Sequence, residues 1–456
     1  MTFRSRLLKL HPATLVFASF LIAILAGTLV LKLPVSTKTG EIHWIDAVFT
    51  ATSAICVTGL IVVDTGGFFT AFGQGVILFL IQIGGVGVIT FAVMLFRFIR
   101  RNISIRQRMA VQDMFAHTPR EDILKLLKNI VLVTFLVEAV GAVLLTFCWI
   151  QDFPFYKAVY VAIFHSVSAF CNAGFSLFSD SLMHYTENIY VNVIICSLIV
   201  IGGIGFPVLY DLKSSFKNRK KKRFRLSIQT KVVLLTTLIL IAAGAFLFFV
   251  LERHKMEESQ SIPHYILVSV FQSITSRTAG FNTVDIAQLQ EATLALIIFL
   301  MFFGASPGSA GGGVKTTTLA IITAFMICRI RHQRRVNMFK KSIPPETVSR
   351  SISLVLLSIG IISLVLFFIL AGDAAVGREV PFQQRSFITY LFETVSAFGT
   401  VGLSMGVTPM LSTWGKFWII LMMIIGRVGV LTFAYIIVGA GLMNGIEYSE
   451  ENLMVG

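Results

Sequence analysis

The sequence predicts an all-α membrane protein: four pseudo-repeats of helix, re-entrant pore half-helix and helix around a central pore, giving eight spans and four half-helices. Three observations predict it. The chain is 55% hydrophobic and only 13% charged, with apolar runs too long for a soluble core to need. Its basic residues fall in alternate loops. A short Ser/Thr-bearing stretch ending in glycine plus Leu or Phe occurs four times, at 49–60, 164–175, 271–281 and 392–403.

The first helices of the four repeats are expected near residues 12–33, 123–150, 227–251 and 349–371. The second are expected near 73–99, 188–212, 294–327 and 414–442, the third of these interrupted. At ~1.5 Å per residue each can cross a ~30 Å hydrocarbon core. The first apolar run, 13–31, is too long for a signal-peptide core, so cleavage is not expected. The resulting organisation is repeat 1 (1–99), a cytoplasmic linker (100–122), repeat 2 (123–213), a basic linker (214–226), repeat 3 (227–330), a third linker (331–348), repeat 4 (349–443) and a tail (444–456).

Net charge is +15, which alone would admit a nucleic-acid partner. Placement argues otherwise. Arg4, Arg6 and Lys9, then 97–108, 213–225 and 329–341 are the basic clusters, and the intervening loops are mixed or acidic. That is the positive-inside pattern, with both termini cytoplasmic and the half-helices entering from outside. No nucleic acid is expected. The five cysteines sit in or near apolar segments without metal-ligand spacing, and read as small apolar fillers.

The half-helices are expected to start at Phe49, Phe164, Phe271 and Phe392, with Ser53, Ser168, Thr275 and Ser396 four residues on. Glycine follows six residues later in three repeats and five later in the third, whose turn should differ. The second helices share Gly84-Gly85-Val86-Gly87, Gly202-Gly203-Ile204-Gly205 and Gly426-Arg427-Val428-Gly429, glycines that let backbones approach closely.

Irregular backbone at membrane depth survives only where it lines a water-filled path or is buried in protein. The turns Val57-Thr58-Gly59, Asn172-Ala173-Gly174, Thr278-Ala279-Gly280 and Thr400-Val401-Gly402 fit that condition. Their carbonyls are candidates to replace the hydration shell of a monovalent cation. Each half-helix would aim its C-terminal end, equivalent to about half a negative charge, at the centre. Arg277 in the third turn should point away, with Glu393 as the expected partner.

The third repeat's second helix is interrupted by Gly304-Ala305-Ser306-Pro307-Gly308-Ser309-Ala310-Gly311-Gly312-Gly313, which cannot hold a regular helix because glycine costs ~1 and proline ~3 kcal/mol relative to alanine. It is expected to form a movable loop blocking the cytoplasmic side, against the alternative of a static kink. The stretch from Gly308 to Thr316 imitates a phosphate loop, but Val314 stands where lysine is required and no strand precedes it. Arg427 replaces a motif glycine in mid-span, where it must face protein or water. It and Lys315 are candidate gate residues, and a purely structural pairing is the alternative. His165, Gln272 and Glu393 follow the starting Phe, as Thr50 does in repeat 1, and are expected near the watery outer ends. Asp46 and Asp64 are candidates to draw cations to the outer mouth, and Glu138 should face the interior.

Thr58-Gly59-Leu60, Asn172-Ala173-Gly174-Phe175, Arg277-Thr278-Ala279-Gly280-Phe281 and Gly399-Thr400-Val401-Gly402-Leu403, with the loop 304–313 and Arg427, resemble the Ktr/Trk/HKT superfamily of potassium transporters. The likeness covers essentially the whole chain and is nearest to the membrane subunit of bacterial Ktr systems. It implies K+ held by filter carbonyls, a homodimer with one pore per protomer, and a cytoplasmic ring of RCK-type nucleotide-binding regulatory subunits. It further implies a bacterial plasma-membrane location, Na+ stimulation of uptake, and potassium preference from glycine at 59. No cofactor and no catalytic residue are expected in the chain. The competing readings are a Na+-coupled K+ symporter or Na+-selective carrier on the same scaffold, and a membrane enzyme. The filter turns offer no ionisable group except Arg277, which weighs against proton coupling.

Overall fold

A computed structural model describes residues 12–87, 123–218, 226–253, 262–376 and 386–438. The linker 100–122, most of 214–226 and the tail 444–456 lie outside them. The described chain is mostly helical. A first long helix, α1 (Pro12–Leu31), precedes α2 (Trp44–Cys56) and α3 (Ala71–Val86). Next come α4 (Ile123–Trp149), α5 (Phe155–Phe170), α6 (Ile189–Ile204) and α7 (Phe206–Asn218). The third unit holds α8 (Ile228–Glu252), α9 (Ile262–Thr275), α10 (Glu291–Phe302) and α11 (Thr316–Ile330). The last holds α12 (Pro345–Val376), α13 (Phe387–Gly399), α14 (Thr413–Val428) and α15 (Val430–Val438).

Three described helices are long and apolar enough to cross a bilayer alone: Lys128–Trp149 of α4, Ile228–Glu252 and Pro345–Gly372 of α12. A fourth span would combine α6 and α7, which are bent by 92°. Two of the second helices expected as continuous rods are broken instead, α6 from α7 and α14 from α15, and α3 also ends at a glycine. Each stops at a motif glycine, Gly87, Gly205 or Gly429, with φ of 94°, 95° and 96°. That conformation is open to glycine and strained for other residues, so the helix ends there.

The short helices α2, α5, α9 and α13 form the centre. Phe49, Phe164, Phe271 and Phe392 are at most 1% exposed. They lie inside these helices rather than at their starts, which fall earlier at Trp44, Phe155, Ile262 and Phe387. Each aromatic ring anchors mid-helix, so the strongest apolar signal marks the packing centre rather than the entry.

The packing is cyclic. α3 packs on α5, α6 on α9, α10 on α13, and α14 back on α2. Within three of the units, close approach of the second helix to its own half-helix depends on glycine. A Cβ at Gly84, Gly202 or Gly426 would overlap the carbonyl oxygen of Ile55, Phe170 or Phe398, the same place in three half-helices. The outer helices turn large apolar groups outward, among them Leu25, Phe147, Leu238 and Phe367, all at least 60% exposed. A surface of that kind suits lipid or a partner subunit rather than water. The segment after α11 forms a tight hairpin, Asn337–Met338 against Lys341–Ser342. Its two linking residues, Phe339 and Lys340, both have positive φ.

Candidate functional site

Each central half-helix ends the same way. Val57, Asn172, Thr278 and Thr400 take left-handed φ of 56°, 57°, 75° and 49°. Two residues later Gly59, Gly174, Gly280 and Gly402 are at 90°, 67°, 82° and 96°. The left-handed residue closes the helix, as a C-terminal cap does, and the glycine lets the chain leave at an angle. A Ser or Thr one turn back clamps the result. Ser53 and Ser396 Oγ each accept from the Gly59 and Gly402 N–H at 3.1 Å. Ser168 Oγ and Thr275 Oγ1 instead donate to the Phe175 and Phe281 carbonyls at 2.7 and 2.6 Å. The third turn is one residue shorter: its Ala279 N–H donates to the Thr275 carbonyl four residues back, where Thr58, Ala173 and Val401 donate to carbonyls five back. It nevertheless keeps the left-handed residue and the glycine in register.

The four turns meet. A Cβ added to Gly59 would lie 3.1 Å from Gly174 Cα, one on Gly174 2.9 Å from Gly280 Cα, one on Gly280 3.2 Å from Gly402 Cα, and one on Gly402 3.0 Å from Gly59 Cα. In every case it would also crowd the carbonyl oxygen just before the next glycine: Ala173, Ala279, Val401 and Thr58 in turn. Four glycines from the four quarters of the chain therefore form one closed ring of main chain. The residues of the turns are at most about 1% exposed where they carry side chains. The Asn172 amide, oriented so that its nitrogen donates to the Ile199 and Ala169 carbonyls, accepts from Thr278 Oγ1 at 3.2 Å and ties the second turn to the third.

Directly against two of these turns lies the small-residue segment. Gly312 N–H donates to Thr400 Oγ1 at 2.8 Å, and a Cβ at Gly304 or Gly311 would strike the Thr278 side chain. α10 ends at Phe302 and α11 begins at Thr316, so residues 303–315 are the break. Two cations grip it. Lys315 Nζ donates to the Gly311 and Gly312 carbonyls at 2.7 and 3.3 Å. Arg427, in the last turn of α14, donates from one guanidinium nitrogen to the Ala310 carbonyl and from the other to the Gly84 carbonyl of α3. A third tether comes from the α6–α7 bend: Phe206 N–H donates to the Gly308 carbonyl at 3.0 Å, and Ser306 N–H to the Gly203 carbonyl at 3.2 Å.

Several sequence expectations need correction. His165, Gln272 and Glu393 are not in watery outer ends; they are at most 1% exposed. Each reaches across to the segment leaving the ring. His165 Nε2 bonds Ser176 Oγ at 2.9 Å, inside a cage of Trp149, Phe178 and Phe281. Gln272 Nε2 donates to Thr283 Oγ1 at 3.3 Å. Glu393 accepts from Ser404 Oγ and Thr408 Oγ1, both at 2.6 Å, and from Met405 N–H at 2.9 Å. Glu393 therefore does not pair with Arg277. The Arg277 side chain instead reaches Thr237 on α8, its one hydrogen-bond partner among the described residues, at 3.4 Å. Asp46 forms an ion pair with Lys416 at 2.8 Å, which neutralises it as a cation attractor. Asp64 caps the short helix Thr65–Phe68, accepting from Gly66 and Gly67 N–H. Glu138 is 4% exposed as expected. Gln82 Nε2 bridges both its oxygens at 3.1 and 3.2 Å, and Cys171 Sγ lies 3.6 Å from one of them, immediately behind the second turn.

The clamp residues Ser53, Ser168, Thr275 and Ser396 carried no role in the sequence reading. Their own alignment, one turn before each left-handed residue, was the signal that could have found them. The Lys315 and Arg427 placements, by contrast, bring both cations onto the segment that the sequence singled out.

These features define a multi-pass membrane protein organised around a buried ring of main-chain turns. The family model described as "Cation transport protein" matches residues 12–440. The chain is 38% identical to the Ktr system potassium uptake protein B of Bacillus subtilis, over 98% of this chain and 97% of that one. It is 36% identical to the potassium/sodium uptake protein NtpJ of Enterococcus hirae, over 98% of each. Among solved structures, the potassium transporter TrkH from Vibrio parahaemolyticus superposes with a TM-score of 0.69 at 21% identity, covering 93% of this chain and 84% of that one, which shows a shared fold. The chain belongs to the TrkH/Ktr family of cation transport proteins.

Proposed function

We propose that this chain is the pore-forming membrane subunit of a potassium uptake system, with K+ passing through the ring of turns. In this reading four repeats contribute eight spans and four half-helices, with both termini in the cytoplasm of a bacterial plasma membrane. The carbonyls of residues 57–59, 172–174, 278–280 and 400–402 strip and hold one dehydrated ion, and the half-helix C-termini add negative potential at the centre. The single observation that carries the reading is the closed ring, in which each glycine abuts the next with room for no side chain. The names of the relatives supply the ion: the Bacillus subtilis protein is a potassium uptake protein.

The loop 303–315 is the gate. It lies against Thr278 and Thr400, and Lys315 and Arg427 hold it there. Two positive charges beside a cation path also repel the ion electrostatically, so the pinned loop is the closed state. Homodimerisation and a cytoplasmic ring of RCK-type nucleotide-binding subunits complete the assembly; the "system" in the relatives' names supports a multi-component device. Membrane potential supplies ~2.3 kcal/mol per charge per 100 mV, enough to concentrate a monovalent cation without ATP hydrolysis in this chain.

A second reading, Na+-coupled or Na+-selective transport on the same scaffold, is favoured by the relative named as a potassium/sodium uptake protein. Reversal potentials in opposed K+ and Na+ gradients separate the two: the uptake reading requires the potential to follow K+ alone.

The test of the filter is Gly59→Ser, assayed by growth in low potassium and by K+ against Na+ flux in proteoliposomes. A side chain at Gly59 intrudes on the Ala173 carbonyl and the Gly174 backbone. Loss of K+ preference is expected. Unchanged preference with unchanged K+ flux would overturn the filter assignment.

A further inference from the structure

A groove of about 210 Å³ lies between α4 and α7, walled by Ile130 and Val133 on one side and Phe206 and Leu209 on the other, with Lys213 at its end. It is too small for a drug-sized molecule, whose pockets begin near ~300 Å³, and has the right apolar character for one hydrocarbon chain. We propose that the groove binds an acyl chain of an anionic phospholipid of the cytoplasmic leaflet, with Lys213 holding its phosphate, and that occupancy biases the loop 303–315.

Three observations argue for that occupant. The groove opens beside a lipid-facing surface: Leu132, Phe135 and Leu136 of α4 are 56–60% exposed. α7 leaves α6 at 92°, a break in the one span that the two would form together. Along its length α7 runs from apolar, with Phe206, Val208 and Leu209, to charged, with Asp211, Lys213 and Lys217, as a segment passing from hydrocarbon to headgroups does. Charge complementarity is the third. Asp211, the acidic residue of α7, is turned to the start of α8, accepting from Ser227 N–H at 3.0 Å and Thr230 Oγ1 at 2.5 Å. Lys213 is exposed, and the sequence beyond α7 continues with Arg219, Lys220, Lys221, Lys222, Arg223 and Arg225. Basic runs of this kind at the inner surface attract anionic lipid.

The coupling is direct. Phe206, a wall of the groove, donates its N–H to the Gly308 carbonyl of the loop at 3.0 Å. A chain wedged between α4 and α7 therefore presses on the residue that tethers the loop. This part rests on the gating role proposed above; the binding part does not.

The experiment measures retention of dioleoylphosphatidylglycerol and, separately, dioleoylphosphatidylcholine by the purified full chain, using native mass spectrometry after a detergent wash. Wild type is compared with Lys213→Gln and Leu209→Trp, the second filling the groove. Lys213→Gln should weaken phosphatidylglycerol retention roughly fivefold, the equivalent of ~1 kcal/mol per lysine, and leave phosphatidylcholine unchanged. Leu209→Trp should abolish retention of both. Val133→Phe fills the groove from the opposite wall and replaces Leu209→Trp if that variant aggregates. Retention equal to wild type in the charge and filling variants overturns the site. A change in monomer–dimer equilibrium with lipid retention unaltered also overturns it, because a second copy would then be the occupant. Rubidium flux in vesicles with and without phosphatidylglycerol tests the coupling. Flux indifferent to that lipid, in protein that demonstrably retains it, overturns the coupling while leaving the binding site and the transport assignment standing.

Discussion

Replacing Arg427 by methionine tests the gate at its strongest point. The side chain is of similar length and remains compatible with the half-buried setting, but it donates nothing. Two charge-assisted hydrogen bonds are lost, one to the Ala310 carbonyl of the loop and one to the Gly84 carbonyl of α3. Bonds to charged groups are worth ~1.5–3 kcal/mol each. Only the bond to Ala310 ties the loop itself, so it contributes about 1.5–3 kcal/mol to the pinned state, roughly ten- to a hundredfold in the loop equilibrium at ~1.4 kcal/mol per tenfold. Lys315 still holds the Gly311 and Gly312 carbonyls and Thr400 still holds Gly312. The rise in flux should be correspondingly smaller, about tenfold. The assay is rubidium uptake into proteoliposomes containing this chain alone. Arg427→Lys separates the two ways an arginine can act here. It keeps the charge but has no fork with which to reach two carbonyls at once. Flux raised in both variants assigns the effect to the lost bridge, and flux raised only by methionine assigns it to charge repulsion. Unchanged or reduced flux in Arg427→Met, with size-exclusion profile and melting unaltered, would refute the gating argument.

Other perturbations have sharp outcomes. Gly402→Ala adds a Cβ 3.0 Å from Gly59 Cα at a φ of 96° and should abolish K+ uptake. Gly406→Ala, also at positive φ but with nothing within 4 Å, should cost only ~1–2 kcal/mol in thermal unfolding and leave uptake intact. Thr400→Val strands the buried Gly312 N–H, a penalty of ~1–3 kcal/mol on the docked loop. Basal rubidium flux should rise by roughly five- to a hundredfold as a result. Glu393→Gln places an amide against donors from Ser404, Met405 and Thr408. A melting temperature lowered by several degrees, as expected for about 1–3 kcal/mol, should accompany weaker discrimination between Rb+ and Na+ in competition uptake.

The turns were legible in the sequence because left-handed backbone leaves a chemical trace. At Gly59, Gly174, Gly280 and Gly402 the conformation required is one that glycine adopts without strain, and the residue type reports it. The interrupted helix was legible for the converse reason, since ten consecutive Gly, Ala, Ser and Pro residues exclude a regular helix. Half-helix starts were misread. Pro154 and Ser386, which flank the true starts of α5 and α13, are weaker signals than the buried Phe164 and Phe392 that follow. The glycines at 87, 205 and 429 were read with their neighbours as packing residues. Gly84, Gly202 and Gly426 do pack against half-helix carbonyls, whereas the later three end their helices, Gly205 while also abutting the Pro307 carbonyl. Spacing along a chain does not distinguish a glycine chosen for lacking a side chain from one chosen for its backbone. The burial of His165 and Glu393 was hidden for a related reason: polar side chains suggest water, and only the fold reveals that hydroxyls and amides of the departing segment take its place.

The ring also bears on heredity. A pore assembled from four identical subunits multiplies every codon change fourfold, so any tolerated alteration must suit all quadrants together. Here the left-handed position is Val57 in one quadrant, Asn172 in the next, and threonine at 278 and 400, around one ring of four main-chain turns. Each quadrant can change alone, be one residue shorter as the third is, or carry a tether of its own, while three-quarters of the ring stays as it was.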